Sequence, residues 1–160
     1  VHPDGAVQHY DKKHLFTFGG EHKRFTAGTE RVVVNFRGVR ILLEVCYDLR
    51  FPVWSRNLGD YDMILYVASW PTPRVDAWSA LLRARAIENQ CYVAGVNRMG
   101  VDPACEYSGG SAIIDPYGKT IAECPWSRES AVSADIDMEA LQAFRKKFPV
   151  LDDADPFTLI

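Results

Sequence analysis

This sequence has little of what marks a disulfide-stapled, zinc-binding, membrane-spanning or polyanion-binding protein. Its four cysteines, Cys46, Cys91, Cys105 and Cys124, have no C-x-x-C spacing. That pattern fits neither a small disulfide framework nor a structural zinc site, and a reducing, cytoplasmic setting is expected. No apolar stretch approaches the ~20 residues of a membrane span, and no basic-then-apolar leader opens the sequence. With 18 Lys and Arg against 21 Asp and Glu, the formal charge of −3 gives no electrostatic reason to expect nucleic acid. Internal repeats, low-complexity tracts and linkers are missing as well. The remaining picture is 160 residues with 48% hydrophobic content, ordinary for a globular chain able to bury a substantial core.

What is present is an alternation of β and α signals. Val32-Val33-Val34 and then Val39, Ile41, Leu42 and Leu43 flank Arg37-Gly38, which reads as a hairpin turn. A short helix is predicted over residues 51–58, started by Pro52 and ended near Gly59. Residues 63–68 read as a fully buried strand. Ala77, Leu81, Leu82, Ala84, Ala86 and Ile87 recur at helical spacing, and Asp76 suits the positive N-terminal end of that helix. Further strands are predicted over 91–96, 111–114, 120–124 and 131–136. Asp137 can cap a last helix over 138–147, whose final turn carries Arg145, Lys146 and Lys147 as the helix dipole favours, and Pro149 stops it. The tail to Ile160 holds Leu151, Phe157 and Leu159 with little local structure to bury them. Strands separated by helices predict a layered α/β architecture.

Chemistry points first to Cys46. It closes the apolar run from Val39 to Val45, broken only by Arg40 and Glu44, and opens the polar turn Tyr47-Asp48-Leu49-Arg50-Phe51-Pro52. A thiol at a strand end sits where sheet enzymes hold reacting atoms, which makes it the leading candidate for a nucleophile. The alternative is a small buried hydrophobe, the commonest state of free cysteine.

Ordered motifs surround it. Upstream runs Tyr10-Asp11-Lys12-Lys13-His14-Leu15-Phe16, then a loop with Glu21 and Gly28. Downstream come Asp60-Tyr61-Asp62, then Trp70-Pro71-Thr72-Pro73-Arg74, then Arg83-Ala84-Arg85-Ala86-Ile87-Glu88-Asn89, and finally Gly110-Ser111 leading to Asp115-Pro116-Tyr117-Gly118. Read together, the set resembles the nitrilase superfamily of carbon–nitrogen hydrolases over nearly the whole chain, and within it the omega-amidases, also called 2-oxoglutaramate amidases. Several motifs in order are specific where any one alone is weak.

The resemblance implies a nitrilase-like α-β-β-α sandwich, no metal or cofactor, and a Glu-Lys-Cys triad acting on a small-molecule amide. Cys46 matches the nucleophile, Lys12 the triad lysine and Glu21 the second, supporting glutamate. The triad's general base precedes the Y-x-K motif in the family. Here the sequence begins at Val1-His2-Pro3-Asp4-Gly5, so residues 1–160 are expected to be the C-terminal part of a single carbon–nitrogen hydrolase domain, lacking N-terminal strands and helices and inactive alone. Family members associate through helices matching 51–58 and 77–89 here, so a homodimer is expected, with the tail reaching a partner or the rest of the domain.

Amide hydrolysis needs what these side chains offer. A thioester on Cys46 splits one hard step into two, Lys12 stabilises the thiolate and the oxyanion, and the Tyr47 N–H is the natural second oxyanion donor. Arg74 is suited to grip a distal carboxylate, Trp70 to form an apolar wall, and Arg50 is a second cation beside the nucleophile turn. Asn97-Arg98 offers a third polar group at a strand end. Against each stands an ordinary alternative: Lys12, with Lys13 beside it, as a solvated charge, Glu21 as a loop carboxylate, Arg50 as a brace of its own turn. His14 raises a Cys-His dyad, although a histidine beside Leu15 and Phe16 reads better as structural. Glu44, two along a strand from Cys46, should share its face; it is either a substitute base or an internal acid held by an arginine or hydroxyl. Three functions compete: an omega-amidase, a hydrolase of N-carbamoyl or other linear amides, and a non-catalytic fragment lacking the base.

Overall fold

The computed structural model describes residues 1–2 and 4–159. A hairpin opens the sheet: β1 (Val33–Phe36) pairs antiparallel with β2 (Val39–Val45), with Val33 opposite Leu42 and Phe36 opposite Val39. Arg37 and Gly38 both take positive φ, 52° and 85°, as a two-residue turn matched to strand twist requires. After β2 come a 3-10 turn (Cys46–Arg50), α1 (Pro52–Ser55) and β3 (Met63–Ala68). Then follow α2 (Val75–Glu88), β4 (Tyr92–Asn97), β5 (Met99–Val101), β6 (Glu106–Ser108), β7 (Ala112–Ile114), β8 (Thr120–Glu123) and α3 (Met138–Lys147). The main sheet has six strands in the order β1-β2-β3-β4-β7-β8, while β5 and β6 form a separate hairpin. β2, β3 and β4 run parallel, with Glu44 beside Tyr66 and Tyr66 beside Gly95. The carboxyl ends of β2 and β3 therefore emerge together, and ligands of open α/β sheets gather at such ends.

One face of the sheet is covered by α2 and the turns before it. Trp78, Leu82, Arg85 and Ala86 are the buried stripe of α2, and Leu42, Ile64, Tyr66 and Val93 meet them in one core. The helix lies close on β4 because residue 95 is glycine: a Cβ there would stand 2.6 Å from Leu82 Cδ1 and 2.8 Å from Trp78 Cζ2. On the opposite face Val67 and Val96 are 47% and 49% exposed.

The C-terminal helix begins as its sequence predicts, the Asp137 side chain accepting from the Ala140 N–H at 2.8 Å. Its docking is a tertiary matter. Arg145 donates to Asp62 Oδ1, to the Tyr61 carbonyl and to the Gln90 carbonyl at 2.9, 3.0 and 2.9 Å. Asp62 also accepts from Arg40. Burial opposes ionisation of Asp62, but the hydrogen bonds and charges of Arg40 and Arg145 outweigh it and hold the carboxyl below its usual range.

Several expectations need correction. The strand over 63–68 is not fully buried, because only one of its faces is covered by α2 and Val67 on the other is 47% exposed. The expected stripe of α2 is also displaced: of Ala77, Leu81, Leu82, Ala84, Ala86 and Ile87 only Leu82 and Ala86 are buried, because the helix docks through Trp78, Leu82, Arg85 and Ala86 and leaves Ile87 54% exposed. The helix placed over 51–58 stops at Ser55. Arg56 leaves at φ −57° and ψ 128°, because buried Asn57 is drawn to α2: its N–H donates to Asn89 Oδ1 and its amide to the Tyr61 and Asn89 carbonyls. Residues 131–136 have no ladder partner among the described residues and run largely exposed; β8 pairs with β7 alone and ends the sheet, so this segment has β propensity without a docked neighbour. The β5–β6 hairpin was not expected. Its turn is organised by Asp102, whose Oδ1 accepts from the Ala104 and Cys105 N–H groups at 2.9 Å, and Asp-Pro was the available signal. The tail forms a 3-10 turn (Val150–Asp153) and then no regular structure, leaving Phe157 and Leu159 39% and 38% exposed; Ile160 lies outside the described residues.

Candidate active site

The nucleophile candidate owes its direction to one dihedral angle. β2 ends at Val45, and Cys46 takes φ 49°, a left-handed conformation costly for any residue with a Cβ. This breaks the strand alternation and swings Cys46 into a cleft of about 640 Å³. Glu44 stays in the core, 2% exposed, so the expectation that it shares a face with Cys46 is wrong. Glu44 Oε2 accepts from the Ser55 hydroxyl at 2.9 Å, the internal support its second reading required.

Asp48 folds the turn and docks the upstream motif on it. Fully buried, it accepts from the Val45 N–H at 3.1 Å, from the His14 N–H at 2.8 Å and from the Tyr10 hydroxyl at 2.9 Å, with His14 Nδ1 also at 2.8 Å. Tyr10 in turn accepts from Trp54 Nε1 and the Lys13 N–H. Of the adjacent lysines, this clamp turns Lys12 to the cleft, while Lys13 lies over the Trp54 ring. Gly28 closes the segment from the other side. Its N–H donates to the Lys12 carbonyl at 2.9 Å, and a Cβ there would stand 2.0 Å from the Asp11 carbonyl oxygen. Glycine is the residue that permits this approach.

Lys12 Nζ bonds Glu21 Oε2 at 2.7 Å, and the same oxygen accepts from the Phe16 N–H at 2.8 Å. Burial raises the Glu21 carboxyl, but these two bonds and the Lys12 charge outweigh it and keep it below its usual range. Burial pushes the Cys46 thiol up, countered by the Lys12 charge and the Ser69 carbonyl, 3.9 Å from Sγ; Glu21 and Asp48 add to the rise. Lys12 is thus the favourable charge for a thiolate in this cleft.

The structure brings seven of the sequence candidates to one cleft: Lys12, Glu21, Cys46, Tyr47, Arg50, Trp70 and Arg74. The Tyr47 N–H belongs to the first turn of a short helix, where amides have no intrahelical acceptor. Its ring lies edge-on to Phe16 and Phe51. Trp70, 3% exposed, is held by its Nε1 to the Arg74 carbonyl at 2.7 Å and by Asn97, which accepts from its N–H and donates to its carbonyl. Arg50 lies 5.0 Å from the Trp70 ring and Arg74 lies 5.6 Å from the Phe16 ring. Neither guanidinium has a carboxylate partner among the described residues.

Other candidates fall away. His14 stacks on Phe51 at 3.8 Å and bonds Asp48 outside the cleft lining, so no Cys-His dyad forms. Asn97 and Arg98 also miss the cleft; Asn97 braces Trp70 and Arg98 lies over Tyr107. The organising roles of Asp48, Tyr10 and Asn97 were missed, as was Ser69 in the lining; places within the motifs could have marked Asp48 and Tyr10, whereas Ser69 and Asn97 lie outside them. Cys91 is fully buried and Cys105 lies outside the cleft lining. Among the described residues no cluster of His, Cys, Asp and Glu is disposed to hold a metal ion, and no helix is long and apolar enough to cross a membrane.

A mixed sheet with Cys46 at the end of β2, facing a cleft shared with a lysine–glutamate pair from the segment before β1, is the architecture at hand, and the chain belongs to the carbon-nitrogen hydrolase family, which matches residues 1–146. It is 55% identical to omega-amidase YafV of Escherichia coli strain K12 over 99% of this chain and 62% of that protein. It is 42% identical to the 2-oxoglutaramate amidase of Bacillus subtilis, over 92% of this chain and 57% of that one. The crystal structure of XC1258 from Xanthomonas campestris, a CN-hydrolase superfamily protein with an arsenic adduct in the active site, has a TM-score of 0.94 and 50% identity. That match covers 98% of this chain and 62% of XC1258. The chain thus spans about 62% of the length of the YafV it matches.

Proposed function

We propose that the chain carries the nucleophile half of an amidase that hydrolyses a linear omega-amide to a carboxylate and ammonia. The observation that carries this reading is the placement of Cys46, at a strained strand end, in one cleft with the Lys12–Glu21 ion pair. In this reading the Cys46 thiolate attacks the amide carbon, and Lys12 Nζ and the Tyr47 N–H receive the oxyanion. The C–N bond breaks, the nitrogen leaves with an added proton as ammonia, and water then cleaves the thioester. Glu21 orients Lys12. The distal carboxylate of an omega-amide such as 2-oxoglutaramate pairs with Arg74 or Arg50, beside the apolar wall of Trp70. The names of the relatives, omega-amidase and 2-oxoglutaramate amidase, support this substrate class.

Neither described carboxylate lining the cleft suits the proton shuttle. Glu21 is committed to Lys12 and Phe16, and Asp11 is exposed. We therefore assign the shuttle to a carboxylate outside residues 1–160, which belong to a single carbon–nitrogen hydrolase domain. The test is ammonia release from 2-oxoglutaramate, an N-carbamoyl amino acid and an uncharged linear amide, with residues 1–160 alone and with a preceding segment supplied from omega-amidase YafV. The expected result is label at Cys46 from an activated ester in both proteins, with steady-state turnover of the omega-amide only in the extended one. A proton-transfer group contributes about 10²–10⁴-fold. Preference for the N-carbamoyl compound would favour the second substrate reading, and equal turnover by residues 1–160 would place the base within them.

The four free cysteines favour a reducing compartment, and we place the protein in the cytoplasm. We also propose a two-fold dimer, supported by the exposed apolar side chains Val53 on α1, Leu58 after it and Ile87 on α2, at 57%, 59% and 54%. Light scattering should give twice the chain mass; a monomer at high micromolar concentration would overturn it.

A further inference from the structure

We propose that Glu44 is a positioning residue for the nucleophile: from inside the core it ties the end of β2 to α1 and β3 and, with Arg85, fixes the turn that carries Cys46 and Tyr47. The proposal rests on Cys46 being the nucleophile of the preceding section. It concerns a buried acid that the amide chemistry does not use.

The geometry is a cross-brace behind the cleft. Glu44 is the penultimate residue of β2 and pairs in register with Tyr66 of β3. The Ser55 hydroxyl donates to Glu44 Oε2 at 2.9 Å and lies 3.1 Å from the Tyr66 hydroxyl, which leaves Tyr66 as donor to Ser55. Ser55 is the last residue of α1, and its carbonyl accepts from the Tyr61 hydroxyl. From α2, Arg85 Nη2 donates to the Leu49 carbonyl at 2.6 Å, inside the Cys46–Arg50 turn, and Nη1 to Glu88 at 2.8 Å. Glu44 Oε1 and Arg85 Nε, both buried, have no hydrogen-bond partner. The brace is therefore not saturated, and an added charge on Glu44 has a buried cation to act upon.

The groups facing Glu44 set the consequence. Burial pushes its carboxyl up to about 7; the Tyr66 and Ser55 hydroxyls and Arg85 of α2 oppose that rise, and Asp48 of the nucleophile turn adds to it. Tyr10, Tyr61 and Cys91, from the N-terminal segment and the approaches to β3 and β4, also feel its charge. As pH rises through neutrality Glu44 ionises, competes for the Arg85 guanidinium that holds Leu49, and repels the Asp48 that holds Val45. Both restraints on the left-handed Cys46 then weaken, and its thiol loses register with Lys12. The sign for stability follows: the neutral carboxyl's contribution is complete below the unfolded carboxyl value and is lost as pH rises through about 7.

The test is site-resolved alkylation of the folded chain by iodoacetamide, read by peptide mass spectrometry at Cys46 with Cys105 as internal reference, from pH 5 to 9. This readout requires no amide turnover, so its outcome is separable from whether the protein is an amidase. The parent is expected to show a Cys46 rate that rises less steeply through pH 7 than one thiol ionisation allows. In Glu44→Gln, which keeps an acceptor for Ser55 but cannot ionise, the profile should become a single ionisation and the melting temperature should cease to fall through neutrality. In Tyr66→Phe the inflection should move to higher pH, since that hydroxyl favours the ionised acid. In Glu44→Ala the Cys46 rate at pH 7 should fall about tenfold while Cys105 is unchanged. A purely structural role would shift the melting temperature without reshaping the Cys46 profile. Parent-like Cys46 profiles in Glu44→Gln and Tyr66→Phe would overturn the proposal, whether or not Glu44→Ala folds.

Discussion

Cys46→Ala is expected to lower omega-amide turnover by about 10⁴-fold or more in a protein carrying the whole domain, with a melting temperature within about 4 °C of the parent. The large effect follows from the proposed mechanism, since no other thiol reaches the cleft lining. The small effect on stability follows from the backbone: alanine has the same Cβ in the same left-handed conformation, so the local cost at φ 49° persists unchanged. Cys91→Ala is the informative control. Its thiol is fully buried, and burial raises it far out of the thiolate range, so its loss costs about 1 kcal/mol of core packing and leaves the chemistry alone. Ammonia release and circular dichroism check both variants, and parent-like turnover by Cys46→Ala would remove it from the mechanism.

The second large effect belongs to Lys12. Lys12→Met keeps the length of the side chain and removes the charge that opposes burial at Cys46. The thiol should therefore titrate at higher pH, and alkylation of Cys46 at pH 7 should slow. Turnover should fall by about 10²–10³-fold, the usual cost of an oxyanion donor, with kcat changed more than KM. Glu21 loses its strongest partner and keeps only the Phe16 N–H, so its carboxyl should rise. Lys12→Arg retains the charge and should restore the alkylation profile more fully than turnover, because a planar guanidinium does not place its donors as an ammonium does. An alkylation profile unmoved in Lys12→Met would break the proposed link between the two side chains.

The elements whose signals lay in their own residues were legible. The hairpin through Arg37-Gly38 and the cap at Asp137 formed as expected, whereas the strand Met63–Ala68 and helix α2 formed in place but with other buried faces than expected, Val67 and Ile87 being 47% and 54% exposed. The failures share a cause. The helix after Pro52 stopped early because Asn57 found partners on Asn89, and residues 131–136 ran without a ladder although β8 leaves an edge open, because strand pairing depends on where the chain docks and not on β propensity alone. The candidate site was legible as a list of residues, since the motif order carried Lys12, Glu21 and Cys46. It was not legible as geometry. Strand alternation put Glu44 beside Cys46, and one left-handed residue separated them.

By itself, then, the sequence determined the order and type of most elements and the list of candidate side chains, because these depend on residue type and short-range spacing. Only the tertiary structure decided which polar groups line the cleft and which are buried behind it. Asp48, Glu44 and Arg85 are charged residues of ordinary appearance in the chain. They became a clamp and a brace because burial removed their water and left each to find its partners on distant segments: Asp48 on Tyr10 and His14, Glu44 on Ser55, Arg85 on the Leu49 carbonyl.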